Sequence, residues 1–303
     1  MALVTISIVS YNGIGKIEDC LRSLHAQTFT DYRIIVVDNA SSDGTIAAVT
    51  NISPEAKIVA LHENVGFGAG HNLAIAESTS DYVLVLNQDV VMHPEALQHL
   101  VHAAQTSQAA CVGPLLLRPG TEQSTRIVDT AGLLKRPWWS VQDRGTGKPL
   151  TMPLRRPGFI WGISGACMLL NRKALQDIAF TRRGATTTEY FDASFFMYKE
   201  DIDLIVRLHN KGYRCWYAAD ATGSHGRTGQ SGNRARLPAY VREYSYRNHW
   251  FLLVKHVWAL QLIFVLPYEL LKFLYILVRE PKTLRVLPDI LKHLPSLLKR
   301  RYA

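Results

Sequence analysis

The chain has 303 residues, 48% hydrophobic and 19% charged, which excludes a disordered or fibrous chain and provides for one large folded domain with an accessory segment. Its formal net charge of +9 favours anionic partners, and the placement of that charge must decide among phosphorylated ligands, anionic lipid and nucleic acid. Cys20, Cys111, Cys167 and Cys215 are scattered singly, without zinc-site or disulfide-framework spacing, and no basic signal-peptide stretch precedes the apolar run at 4–9, so a reducing cytoplasm is the expected compartment.

The β-branched run at 4–9 is followed by a helical pattern through Ile17, Leu21 and Leu24 and by a second apolar run at 33–37. The alternation repeats with 57–61, a helix after Gly70, and 82–86. It predicts βαβ units on a largely parallel sheet, an α/β nucleotide-binding layout. From 118 to 158 the sequence turns irregular, with Pro119, Gly120, Pro137, Gly145, Gly147, Pro149, Pro153 and Pro157 around Trp138-Trp139, which describes either a substrate-covering loop or a surface insertion. An amphipathic helix begins at Glu200-Asp201 and runs through Leu204, Ile205 and Leu208.

After His249 the runs 251–254 and 257–266 are strongly apolar, and Pro267 separates them from 270–278, with Lys255, His256, Glu269 and Lys272 as interruptions. A clean span needs about 20 apolar residues, so these pieces predict helices lying in a membrane interface. Residues 279–303 set Lys282, Arg285, Lys292, Lys299, Arg300 and Arg301 among Leu284, Leu287, Leu291, Leu294 and Leu298, a basic amphipathic surface suited to anionic lipid. A packed helical subdomain or a homo-oligomer contact is the alternative. The division is a catalytic domain at 1–248 and an apolar, basic helical segment at 249–303, whose removal is expected to leave the first part folded.

In an open parallel sheet, ligands bind beyond the carboxyl ends of the strands. Ser10-Tyr11-Asn12 follows the first strand, Asp38-Asn39-Ala40-Ser41-Ser42-Asp43-Gly44 the second, and Asn87-Gln88-Asp89 the run at 82–86. Each alone reads as a turn or helix cap; their recurrence at equivalent strand ends points to a site. Asn64-Val65-Gly66-Phe67-Gly68-Ala69-Gly70-His71-Asn72 is a glycine-rich turn whose backbone N–H groups suit a pyrophosphate. It is not GxGxxG, and no P-loop pattern occurs, which argues against a dinucleotide oxidoreductase and an NTPase. No aromatic-basic recognition module for nucleic acid is visible.

These motifs, in order with Trp161-Gly162-Ile163-Ser164-Gly165-Ala166-Cys167-Met168 and the stretch from Phe191-Asp192 to Lys199-Glu200-Asp201-Ile202-Asp203-Leu204, resemble the family 2 glycosyltransferases, in particular their rhamnosyltransferase-like branch. The resemblance covers most of 3–250 and implies a GT-A fold with a Rossmann-like, mostly parallel sheet. It assigns nucleotide-sugar contacts to Ser10, Tyr11, Asn12, Asp38, Asn64, Gly66, Gly70, Asn72, Asn87, Gln88, Trp161 and Gly165. It makes Asp89 the last carboxylate of a DxD-like metal motif that here reads Asn87-Gln88-Asp89, one carboxylate short. His225, in Ser224-His225-Gly226-Arg227-Thr228-Gly229, matches a further metal ligand, and Mg2+ or Mn2+ suits such oxygen-rich surroundings.

The same resemblance makes Asp201 the general base of an inverting transfer, with Glu200 the next candidate; either carboxylate also reads as a helix cap. Arg247 is read as a fork for a donor or acceptor diphosphate, or as part of a solvated helix face. The expected reaction is single displacement of L-rhamnose from dTDP-L-rhamnose onto a glycan carried on polyprenyl diphosphate, at the inner face of the cell membrane, in cell-surface polysaccharide synthesis. Galactofuranose, glucose or N-acetylhexosamine donors would use the same residues. A non-catalytic sugar-nucleotide or glycan-binding subunit is the alternative from another class.

Overall fold

A computed structural model describes residues 2–120, 126–181, 187–226 and 237–301. The first half follows the expected alternation: β1 (Val4–Ser10), α1 (Lys16–His25), β2 (Tyr32–Asp38), α2 (Thr45–Ile52), β3 (Lys57–Ala60), α3 (Phe67–Ala76), β4 (Tyr82–Asn87), β5 (Val90–Met92), α4 (Ala96–Ser107) and β6 (Cys111–Leu117). β1 is buried almost throughout, and its pleat divides its side chains between two layers. Val4, Ile6 and Ile8 join Leu21 and Leu24 of α1 and Leu97 and Leu100 of α4 in the main apolar core. On the opposite face Ser7 Oγ is 2.6 Å from His71 Nδ1 of α3. Val9 lies under Gly70, where a Cβ would come within 2.8 Å of its Cγ2. α3 starts at Phe67, so Gly70 falls inside the helix, and its missing side chain lets the helix settle onto β1.

The chain continues with β7 (Val128–Thr130), β8 (Leu133–Lys135), β9 (Val141–Asp143), β10 (Gly158–Ile160), β11 (Cys167–Asn171), α5 (Arg172–Asp177), β12 (Phe180–Thr181), β13 (Thr188–Glu189), α6 (Glu200–Asn210), β14 (Cys215–His225), α7 (Ala239–His256), α8 (Leu262–Arg279) and α9 (Leu287–Lys299). The main sheet runs β10, β14, β6, β11, β4, β1, β2, β3, with β5 against β14 and β7 against β6. Its ladders are parallel from β3 through β2 and β1 to β4, and between β6 and β14. β11 enters antiparallel between β4 and β6. All four cysteines are buried free thiols.

The irregular stretch 118–158 is built from β7, the β8–β9 hairpin and a short helical turn at Met152–Arg155. Trp139 anchors it: its ring stacks on His256, centroids 6.2 Å apart, and its Nε1 donates to Gln261 Oε1 at 3.1 Å. α7 crosses 248/249 without a break. Its Phe251 and Leu252 share an apolar cluster with Ile290 and Leu297 of α9 and with Phe195 and Ile202 of the preceding domain. α8 runs through Pro267 as one helix rather than two pieces. With the turn before it, Ala259–Arg279 is long and apolar enough to cross a membrane, and most of it is exposed.

Candidate active site

The carboxyl ends of β1, β2 and β4 open into a cleft of about 600 Å³, closed on the far side by the start of α6 and the end of β14. Tyr11, Asn39, Asn64, Gly66, Asn87, Gln88, Asp89, Gly165, Glu200, Asp201 and His225 line it. The strand ends and the Glu200-Asp201 motif, more than a hundred positions apart in sequence, therefore converge. The 227–229 end of the histidine motif lies outside the described residues.

Behind this lining stand residues that shape it. Ser10 Oγ donates to Gln88 Oε1, and the Tyr11 N–H donates to the same oxygen at 3.3 Å. Asn12 ties the loop after β1 to the loop after β2, its Oδ1 accepting from the Ser42 N–H at 2.9 Å. Asp38 is buried beside Asn39; its Oδ2 accepts from the Ser41 N–H at 2.9 Å, while Oδ1 has no hydrogen-bond partner. A buried acceptor of this kind is available to a donor from water or from a ligand.

The glycine-rich turn is closed by protein. Gly66 has φ +86°, and a Cβ there would meet the Phe196 carbonyl oxygen at 2.3 Å. The Phe67 N–H, first of α3, donates to that oxygen at 2.7 Å, so this amide is not offered to a phosphate. Asn72 is turned away from the cleft: its Oδ1 accepts from the Tyr190 and Phe191 N–H groups, and its Nδ2 donates to the Phe191 carbonyl. Gly70 and Asn72 therefore pack α3 rather than line the cleft. Trp161 is not part of the lining either; its carbonyl is 2.6 Å from His209 Nε2.

Arg247 is buried and outside the cleft. Its Nη2 donates to the carbonyls of Ser194 and Phe195 and its Nη1 to Asp289 Oδ2 at 3.0 Å. Beside it, Asn248 Nδ2 donates to the carbonyls of Phe195, Met197 and Tyr198. These bonds hold a segment in which Phe196, Tyr198 and Lys199 all have positive φ, between 62° and 72°, a conformation L-residues adopt only when surrounding structure enforces it. Arg247 and Asn248 thus fix the strained turn that delivers Glu200 and Asp201. Neither the diphosphate fork nor the solvated face describes Arg247.

Asp201 Oδ2 accepts from the Gly165 N–H at 2.9 Å and Oδ1 from the Ile202 N–H at 2.8 Å. Gly165 leaves room for this approach, since a Cβ there would stand 3.2 Å from that of Asp201. Burial raises the pKa of both carboxyls. Burial and the Asp201 charge push Glu200 up to about 8, and its Oε2 has no hydrogen-bond partner. Glu200 is therefore biased towards its protonated form, and the two backbone N–H groups favour negative charge on Asp201 over Glu200.

His225 Nε2 lies 3.2 Å from Asp89 Oδ1, and its Nδ1 is 2.8 Å from Asp129 Oδ2. Burial alone would lower the imidazole pKa; hydrogen bonds to Asp129 and Asp89 outweigh it and hold the value above the ordinary one. The same negative field suits a cation. Octahedral Mg2+, with bonds of about 2.1 Å, sets neighbouring ligands about 3 Å apart, so the Asp89–His225 separation fits one edge of its shell. Asp129 holds the ring by the nitrogen that would not face the cation. Among the described residues no three His, Cys, Asp or Glu side chains converge on one point.

Sequence reasoning did not find Asp129, Asp143, Lys199 or Tyr198. Asp143, Lys199 and Tyr198 line the cleft, and Asp143 adds negative charge near Asp201. Asp129 and Asp143 come from the stretch whose prolines and glycines mask its strands.

A Rossmann-like sheet with polar clusters at its strand ends, a fixed carboxylate facing them and an Asp–His pair alongside defines a GT-A glycosyltransferase. The mannosyltransferase PcManGT from Pyrobaculum calidifontis, solved with GDP-Man and Mn2+, shares the fold at TM-score 0.57 and 17% identity over 97% of this chain and 75% of that one. Staphylococcus aureus TarS 1–349, solved with UDP, does so at TM-score 0.55 and 14% identity over 83% of this chain; the match spans 64% of that structure and 39% of a longer TarS structure. Residues 5–179 match the model for glycosyl transferase family 2, and the chain belongs to that family. It is 26% identical, over 74% of its length and 76% of theirs, to the N-acetylglucosaminyl-diphospho-decaprenol L-rhamnosyltransferases of two Mycobacterium tuberculosis strains.

Proposed function

We propose that this chain is an inverting, metal-dependent transferase that moves L-rhamnose from dTDP-L-rhamnose to a glycan carried on a polyprenyl diphosphate, at the inner face of the cell membrane, in cell-surface polysaccharide synthesis. The observation that carries the reaction is the Asp201 carboxyl, fixed by two backbone N–H groups at the cleft wall. An acceptor hydroxyl attacks the anomeric carbon from the side opposite the leaving group and passes its proton to Asp201. The bond from that carbon to the diphosphate oxygen breaks, and the nucleoside diphosphate leaves with the electron pair. Asp89 and His225 would hold a divalent cation, which when bound offsets the charge growing on the diphosphate. The vacant acceptor Asp38 Oδ1 supports contact with the donor's nucleoside. The M. tuberculosis relatives support the rhamnosyl donor and lipid-linked acceptor by their names.

The test is to incubate purified protein with a panel of nucleotide sugars and to follow release of nucleoside diphosphate. Turnover of dTDP-L-rhamnose above the others supports the donor assignment; preference for a UDP- or GDP-sugar overturns it. Asp201→Asn keeps the side-chain shape and removes the base, so turnover should fall on the order of 10²–10⁴-fold while donor binding persists. Unchanged turnover in that variant would transfer the role to Glu200.

A further inference from the structure

A second, smaller cavity of about 150 Å³ lies between α7, α8 and the turn before β9. Lys199 and Val141 line both cavities, so the two share a wall. Lys272 of α8 and Lys199 supply its cations, Ser140 and Ser245 its hydroxyls, and among its lining side chains there is no carboxylate. Glu269, one turn before Lys272, points to His249 Nε2 at 2.6 Å and lies 3.4 Å from Lys272 Nζ. Tyr246, also in the lining, is buried with its hydroxyl lacking a hydrogen-bond partner. Two ammonium groups and the four hydroxyl side chains Ser140, Ser245, Tyr246 and Tyr268 in a space of this size match a diphosphate rather than a neutral sugar.

α8 explains why such a group would be found there. Glu269 and Lys272 face the protein beside buried Val265 and Ile276, whereas its exposed side is apolar and includes Ile263, Phe264, Leu266, Leu270, Leu271 and Leu274. Val265 and Glu269 fix it against the domain, so lipid cannot surround it as it must surround a spanning helix. Such a helix lies in the plane of a bilayer surface. Exposed Arg279 in its last turn and exposed Lys282 and Arg285 beyond its end complement anionic headgroups. Trp138, tilted against Tyr268 with ring centroids 6.0 Å apart, places an aromatic ring at the same edge.

We propose that the small cavity seats the diphosphate of a membrane-embedded acceptor, with α8 half-sunk in the bilayer beside it so that the acceptor's sugar reaches Asp201 past Lys199 while its lipid stays in the membrane. This rests on the lipid-linked acceptor proposed above, and it adds the place where that acceptor's charge and tail are held.

The probe is farnesyl diphosphate, titrated into the full-length protein with the main cleft saturated by the nucleoside diphosphate it binds. Wild type should bind it, Lys272→Gln and Tyr246→Phe should each weaken binding by about tenfold or more, and nucleotide affinity should stay unchanged. Inorganic pyrophosphate in place of farnesyl diphosphate separates headgroup from lipid: equal affinity for the two overturns the lipid part of the proposal. Equal farnesyl diphosphate affinity in wild type and both variants overturns the site alone, leaving the lipid-linked acceptor intact. No binding by wild type overturns that acceptor reading together with the site, while donor turnover in the nucleotide-sugar panel continues to report on transfer itself. Ile263 and Leu271 are 72% and 68% exposed, so Ile263→Asp with Leu271→Asp leaves packing intact. That double variant should lose co-sedimentation with vesicles containing phosphatidylglycerol; undiminished sedimentation overturns the placement of α8.

Discussion

Lys255 lies in α7, beyond the 248/249 division, yet its ammonium group is buried 2.8 Å from Asp192 Oδ2 and 2.5 Å from Asp203 Oδ1. Both carboxylates are fully buried; Arg207 and His256 also bond Asp203, and Arg300 bonds Asp192. Lys255→Met conserves most of the volume and deletes a cation that bonds both acids. Breaking a buried ion pair by removing one partner costs about 3–5 kcal/mol, because the remaining charge keeps its desolvation penalty. Against a total stability of about 5–15 kcal/mol, that is a large fraction, and the melting temperature should drop on the order of 10 °C. Calorimetry and urea unfolding of the variant measure it. A destabilisation below about 1 kcal/mol would refute the reasoning, showing that the acids are neutralised without Lys255. The same geometry bears on a chain cut after Asn248: it loses Lys255, His256, Arg300 and the apolar partners of Phe195 and Ile202, so no folded nucleotide site is expected from it.

Asp129→Asn should weaken Mn2+-dependent donor binding about 10–100-fold by releasing the His225 ring, measured by Mn2+ titration of the donor complex; undiminished Mn2+ affinity would remove His225 from the ligand set. Gly66→Ala forces a Cβ against the Phe196 carbonyl oxygen at a φ of +86°, so a loss of about 1–3 kcal/mol by urea unfolding is expected, and wild-type stability would show that the turn can relax. Burial pushes His71 down to about 3 and His249 to about 4, so between the unfolded value of about 6.5 and those values the unfolded chain takes up protons that the folded one refuses. Stability should therefore fall as pH drops from about 6.5 to 4, by up to about 1.4 kcal/mol per pH unit for each histidine. His225, raised, has the opposite sign and acts above about 6.5. Urea midpoints at pH 7, 5.5 and 4.5 check this, and a flat profile would contradict the buried neutral histidines.

The strands and the strand-end polar clusters were legible because their signal is local: an apolar run of five or six residues states its own burial, and a polar residue just after it states its position. Asn87-Gln88-Asp89 lies where that logic puts it, and Glu200-Asp201, singled out by the family resemblance instead, lines the same cleft. Roles that depend on long-range packing were not legible. Gly70 and Asn72 sit in the same motif as Gly66, and no local pattern says that they meet Val9 and the 190–191 backbone instead of the cleft. Arg247 carries a charge that sequence reading sends to phosphate or solvent, whereas the structure directs it to main-chain carbonyls. The Asp129–His225 pair spans 96 positions and begins in a segment whose prolines and glycines hide its strands. Pro267 reads as a helix breaker at about 3 kcal/mol, yet α8 continues through it, anchored on either side by Val265 and Glu269.

α6 joins these parts. Its first turn presents Asp201 to the Gly165 N–H in the cleft, while Asp203, two positions on and so on another face of the helix, receives Lys255 and His256 from α7. One turn further, Arg207 closes the ring to Asp203 and to the carbonyls of Ile178 and Tyr190. The helix carrying the proposed base is thus held from the cleft side by the β11 approach and from the opposite side by the C-terminal helices. Ahead of it, Arg247 and Asn248 of α7 hold the strained turn. A general base must be placed to within about 0.5 Å to be effective, and the supports that would enforce this for Asp201 come from the segment that also carries α8. That arrangement gives a physical reason for the apolar tail to be continuous with the catalytic domain: α8, which would meet the bilayer, follows on α7, which sets the geometry of the carboxylate that would deprotonate the acceptor.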